Sequence, residues 1–195
     1  LCRFRFTKGN QYPMSMNKMT STEENIQFLK EEWSQPKKAS YDNESYSFEL
    51  TCMFNEGSLE SKISDTFNSM GIKKLPLEYK EFLLISNGAF LFWDEKYGQA
   101  GLNFYNLEEF EIKVNFWLSS YRLNSLIKGD LIIGEFLGDS DFIILRCDQE
   151  ADDYGAIVVS HPYDERKNWF HVKDSFAKFL SDFVRAEGDK YWELI

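Results

Sequence analysis

The stretch LPLEYKEFLLISNG, residues 75–88, reads as a helix with both of its ends written into the sequence. Pro76 suits a first helical turn, where its missing N–H would have had no partner anyway. Tyr79, Phe82, Leu83 and Ser86 fall on one face at helical spacing. Asn87 and Gly88 tolerate the left-handed backbone that stops a helix. Nothing in the stretch is equipped for chemistry, so its content is architectural: a proline start, an aromatic face and a glycine stop.

Upstream, NEGSLESKISDTFNSMG (55–71) keeps the helical period. Leu59, Ile63, Phe67 and Met70 share a face, and Gly71 is the expected C-cap. YSFELTCMF (46–54) alternates Tyr46, Phe48, Leu50, Cys52 and Phe54 with more polar positions, the mark of a strand with one buried face. SQPKKASYDNES (34–45) is polar, contains Pro36 and is read as a loop. STEENIQFLKEEW (21–33) opens with a capping box, Ser21 and Glu24, and sets Ile26, Leu29 and Trp33 on one helical side.

Downstream, AFLFW and LNFY read as strands around the loop DEKYGQAG. Residues 107–123 predict a longer helix with Phe110, Val114, Trp117, Leu118 and Tyr121 on one broad apolar face. LIIGEFLGDSDFIILRC (131–147) predicts a hairpin turning through LGDSD, and GAIVVSH and NWFHV add strands. Asp174 is placed to cap a closing helix built on Phe176, Phe179, Leu180 and Phe183. Helices at both ends with consecutive strands between them predict a single α+β domain, with a largely antiparallel sheet flanked by helices.

The totals agree. In 195 residues, 43% hydrophobic and 17% aromatic, there is material for one substantial core and no case for a disordered chain. The formal net charge is −10, which disfavours direct binding to nucleic-acid phosphates and favours a basic partner. The first 20 residues carry Arg3, Arg5, Lys8 and Lys18 and no acid, leaving −14 on residues 21–195. We read residues 1–20 as a start-site artefact or loose arm. Cys2, Cys52 and Cys147 are odd in number and far apart, which suits a reducing compartment. Apolar runs such as FLLIS fall well short of the roughly 20 residues that a membrane helix needs. The expected location is the cytoplasm, away from membranes.

Catalytic patterns are missing. His161 and His171 lack further ligands at zinc spacing. There is no G-x-S-x-G elbow, P-loop or G-x-G-x-x-G; Ser140 in GDSDF reads as a turn serine. DQEADDYG (148–155) begins like a calcium loop at Asp148, Glu150 and Asp152. It then places Asp153 where the EF-hand needs glycine and Val159 where it needs glutamate. With 32 acids, no carboxylate pair stands out as a glycosidase couple. The sequence therefore predicts no enzyme, no metal and no cofactor.

The pattern L-P-x-x-Y-x-x-F-L-x-x-x-N-G, carried by Leu75, Pro76, Tyr79, Phe82, Leu83, Asn87 and Gly88, resembles the signature of the SUKH superfamily. LNFYNLEEF, LIIGEFLGDSDFIILRCD and VKDSFAKFLSDFV resemble that family's later strand-to-helix step, hairpin and closing helix, in the right order over residues 58–184. The resemblance implies a SUKH-like domain over 58–195 preceded by an extension, a helix plus a strand, at 21–57. It also implies a protein-binding role. Bacterial members of the superfamily are immunity proteins, antitoxins that neutralise a cognate toxin, often a nuclease. Fungal members are cell wall assembly regulators, so a regulatory or scaffolding domain without a toxin partner is the alternative.

Two acidic loops are the expected binding surface. Asp139, Asp141, Asp148, Glu150, Asp152 and Asp153 are opposed only by Arg146 over that span, while Asp94 and Glu95 lie beside the aromatic Tyr97. If both loops open at the same sheet edge, they form an acidic face with an aromatic anchor for a basic nuclease domain. The competing reading is solvated turns.

Overall fold

A computed structural model describes residues 4–5, 19–41, 47–118, 125–139, 141–161 and 164–194. Its centre is one sheet whose nine strands lie in strict chain order, each antiparallel to the next. These are β1 (Phe4–Arg5), β2 (Lys37–Tyr41), β3 (Ser47–Phe54), β4 (Ala89–Asp94), β5 (Leu102–Phe104), β6 (Asp130–Phe136), β7 (Phe142–Arg146), β8 (Ile157–Ser160) and β9 (Phe170–Lys173). Helices interrupt the meander: α1 (Thr22–Glu32) before β2, α2 (Glu60–Ser69) and α3 (Leu77–Ile85) before β4, α4 (Leu107–Leu118) before β6, and α5 (Phe176–Arg185) after β9. The expected α+β domain is the one observed.

The opening stretch forms α3, and its apolar face is the hub of the core. Tyr79, Phe82 and Leu83 are all fully buried. The Phe82 ring lies 5.0 Å from Phe104 of β5 and 5.4 Å from Phe176 of α5. Helix α5 continues the layer: Phe183 meets Phe92 at 5.5 Å and Phe136 at 6.0 Å. Helix α1 closes it, with Ile26 and Leu29 buried and Trp33 packed edge-on against Phe92 at 4.8 Å. Side chains stitch the three helices together. The Ala177 N–H donates to Glu78 at 2.9 Å, and the Ser181 hydroxyl donates to the Met19 carbonyl at 2.7 Å. Strands β7 and β8 are buried along their whole length, so both of their faces are covered.

Several local expectations need correction. Pro76 is the N-cap of α3, with extended ψ of 132°, and the helix proper starts at Leu77. Leu59 caps α2 and is 74% exposed, leaving Ile63 and Phe67 as that helix's buried residues. The polar segment after Pro36 contains β2, which gains its strand state by pairing Lys37–Ser40 with Leu50–Ser47. Ser175, not Asp174, caps α5, its hydroxyl accepting the Lys178 N–H at 3.3 Å. In α4, Phe110 and Val114 are buried as expected; Tyr121 and Ser140 lie outside the described residues. Phe4–Arg5, within the segment read as an artefact or loose arm, pairs with Tyr41 and Ser40.

Candidate interaction surfaces

The motif residues come first because they decide where the surfaces sit. Asn87 does more than end α3. Its side-chain oxygen accepts the Leu107 N–H at 2.9 Å at the start of α4, and its amide nitrogen donates to Glu108 at 2.8 Å. Its backbone N–H donates to the Glu56 carbonyl, while its carbonyl accepts from the Asn55 side chain. Gly88 follows at φ +84°, and a Cβ there would lie 2.8 Å from both Asn106 N and Phe104 O. One Asn-Gly pair thus joins the approach to α2, the end of α3 and the start of α4.

Because successive loops of a meander alternate ends, the acidic segments divide into two groups. The β4–β5 loop and the β6–β7 turn share one end of the sheet, tied by Leu137 N–H to the Gly101 carbonyl at 2.9 Å. The β7–β8 loop opens at the other end, beside the Asp130–Arg146 register pair. Asp94, Glu95 and Tyr97 are therefore brought together with Asp139 and Asp141. Asp148, Glu150, Asp152 and Asp153 are a strand's length away, and the single acidic face expected from the sequence is not formed.

At the first end, Asp94 is fully buried, accepting the Lys96 N–H at 3.2 Å. Glu95 is exposed. Tyr97 is 55% exposed, with Lys96 over its ring and Phe48 against its edge. Lys190, from the segment after α5, reaches Asp139 at 2.6 Å and Asp141 at 2.5 Å and lies 4.5 Å above the Phe136 ring. Asp141 is buried, and burial pushes its carboxyl above the usual range although Lys190 opposes the shift.

At the second end, Lys128 spans Asp148 at 3.2 Å and Glu150 at 3.3 Å. The Glu150 N–H, then Lys128, hold the Asp148 carboxyl below its usual value. Asp152 points to solvent. Asp153 accepts from Arg146 Nε at 2.7 Å, and Arg146 also donates to Asp130 at 2.5 Å and to the Lys128 carbonyl at 3.0 Å. Arg166 grips the same Asp130 with both terminal nitrogens. Burial works against the Arg146 charge, but the bonds to Asp153 and Asp130 outweigh it and raise its pKa. A groove of about 640 Å³ opens beside this network, between the end of α2, Val114 of α4 and the start of β6.

Lys128, Asp130, Arg166 and Lys190 were not singled out from the sequence. Asp130 and Arg146 flank the LGDSD hairpin, but a register shift between Ile132 and Gly134 is what sets them opposite each other. Lys190 is 51 residues from Asp139 and gave no such signal. The chemistry available is modest. Burial pushes the Cys52 and Cys147 thiols up to about 12, so neither is a thiolate at neutral pH. His161 and His171 each face one nearby aspartate, Asp164 and Asp174. Among the described residues, no three His, Cys, Asp or Glu side chains converge on a metal position, and no helix is long and apolar enough to cross a membrane.

With this geometry in view, comparison with known families finds a match over residues 57–182 to the family described as SMI1 / KNR4 (SUKH-1). No curated protein matches the chain.

Proposed function

The chain belongs to the SMI1 / KNR4 family (SUKH-1), and on that premise we propose that it is an immunity protein that binds and neutralises a cognate toxin in the cytoplasm. The family match over residues 57–182 is the observation that carries the reading, since domains of this family act by binding other proteins. The toxin is a basic nuclease domain. A net charge of −10 on the antitoxin speeds encounter with such a surface and lets the bound protein block the path that phosphates would follow. Neutralisation needs no turnover, no cofactor and no direct contact with nucleic acid. The family-matching region is the working domain, and residues 21–56 extend it: Ile26, Leu29 and Trp33 lie in the same core cluster as Tyr79 and Phe82.

The test is co-expression with the C-terminal domain of any large toxin that a neighbouring gene encodes. Cells making both proteins should survive at the rate of toxin-free cells. Continued killing in the presence of soluble, folded protein overturns the assignment.

A further inference from the structure

The segment after α5 is held to the rest of the protein by its side chains. The chain turns at Glu187 and Gly188, with φ of +51° and +89°, and runs into a short 3-10 turn, Tyr191–Leu194. Among the described residues, the backbone N–H groups of 187–193 bond only within the segment or back onto the end of α5. Glu187 donates to Val184, Gly188 to Phe183, Asp189 to Ala186, Tyr191 to Asp189 and Glu193 to Lys190. No bond of this set reaches the sheet. Two side chains, two residues apart, carry most of the attachment. Trp192, 4% exposed, lies against Phe136, Phe179 and Phe183 at ring distances of 5.6, 5.9 and 6.3 Å. Lys190 bridges Asp139 and Asp141 and sits over the face of Phe136. Lys173 of β9 adds a longer contact, 5.6 Å above the Tyr191 ring.

The same segment carries features that favour its leaving. The left-handed backbone at Glu187 is strained for a residue that has a Cβ. Trp192 Nε1 and the Tyr191 hydroxyl are buried with no hydrogen-bond partner among the described residues, and water would satisfy both. Burial raises the Glu187 and Glu193 carboxyls above their usual range, although Lys37 opposes the first shift and Lys190 the second. These are acids that solvent would hold better. The attachment therefore sets two strong side-chain contacts against several local penalties, and none of the sheet has to break for it to open.

We propose that residues 187–194 are a releasable clasp, and that the socket beneath them binds a peptide segment carrying a lysine and an indole two residues apart. Asp139, Asp141 and the Phe136 ring face recognise the lysine, and three phenylalanine rings recognise the indole. Lys190 and Trp192 are the resident ligand in cis, and the same chemistry supplied in trans competes with them. The probe is a free peptide, EGDKYWELI (residues 187–195), titrated by calorimetry into the full-length protein. Trp192→Ala vacates the socket and should bind the peptide, whereas the parent, already filled, should bind roughly tenfold more weakly or worse. Placing Lys190→Met or Trp192→Ala in the peptide should weaken its binding roughly tenfold or more. If the Trp192→Ala protein does not fold, Lys190→Met, which loosens the clasp, takes its place as receptor with the same expectation. No binding to the vacated protein, or equal binding to it and to the parent, overturns the socket. Release is read separately in the parent, from hydrogen exchange of the Trp192 indole N–H, which fraying of the backbone does not report. It should exchange roughly a hundredfold faster than the β7 amides and stay insensitive to low urea. Exchange at the β7 rate, with the β7 dependence on urea, overturns the clasp.

Discussion

Asp130→Asn should disable the buried charge network at the start of β6. The Asp130 side chain is fully buried, receives both Arg146 and Arg166, and accepts the Ile127 N–H at 2.9 Å. Asparagine preserves the shape but removes the charge and turns an N–H₂ donor towards two guanidinium donors. Arg146, with its side chain 3% exposed, would retain only Asp153 as a counter-charge. Arg166, 25% exposed, could recover some hydration. Removing one member of a buried ion pair typically costs about 3–5 kcal/mol. The surviving Asp153 contact and the partial exposure of Arg166 place the expected loss near the lower bound, about 3 kcal/mol. Urea denaturation followed by tryptophan fluorescence would measure it. Arg166→Met should cost less alone, because Asp130 would still hold Arg146. The double variant should lose less than the two single losses added together, by about 0.5 kcal/mol or more. A loss under about 1 kcal/mol for Asp130→Asn, the range of exposed pairs, or strict additivity in the cycle, would refute a mutually dependent set.

Other consequences can be checked independently. Phe82→Ala removes a fully buried ring at the meeting point of α3, β5 and α5, and should cost about 3–5 kcal/mol in the same unfolding assay. Tyr79→Phe should be neutral or stabilising, because the buried Tyr79 hydroxyl has no hydrogen-bond partner among the described residues; a loss above about 1 kcal/mol would mean that the hydroxyl is satisfied. Asp141 has a folded-state pKa above its unfolded value, so its contribution to stability grows as pH falls through the folded pKa and is smallest at neutral pH. Lys190→Met should raise that pKa further, read from the carboxyl carbon shift of Asp141, and a downward move would contradict the pairing. Cys52 and Cys147 should resist thiol reagents at pH 8 in the native protein and react promptly in denaturant.

The parts of this structure that could be read in the sequence were those fixed by neighbours in the chain. The α3 face, the capping box at Ser21, the LGDSD hairpin and the apolar stripe of α5 all depend on residues a few positions apart, and periodicity exposes them. What the sequence hid was set by distant partners. Strand β2 is polar and becomes a strand only because β3 lies beside it. Asp94 and Asp141 look like solvated turn residues, yet both are buried, and Asp141 pairs with Lys190, 49 residues away. The two acidic segments seemed adjacent because composition records closeness in sequence, whereas a meander sends alternate loops to opposite ends.

The nearest-neighbour order of the strands also fixes a timetable for the nascent chain. Each strand can dock on the one made just before it, so the sheet can lengthen as residues leave the ribosome. Helix α1 cannot be completed that way. Its side contacts with α5 wait for the chain to be synthesised from Glu32 to Phe176, a delay of roughly 10–30 s at typical elongation rates. Until then Ile26 and Leu29 lack part of their cover, and a chain that stalls before α5 carries an unsealed apolar stripe at its oldest end. A chain built in this order is thus exposed to loss during synthesis more than after it, and expression conditions that slow elongation should lower its yield more than its melting temperature would suggest.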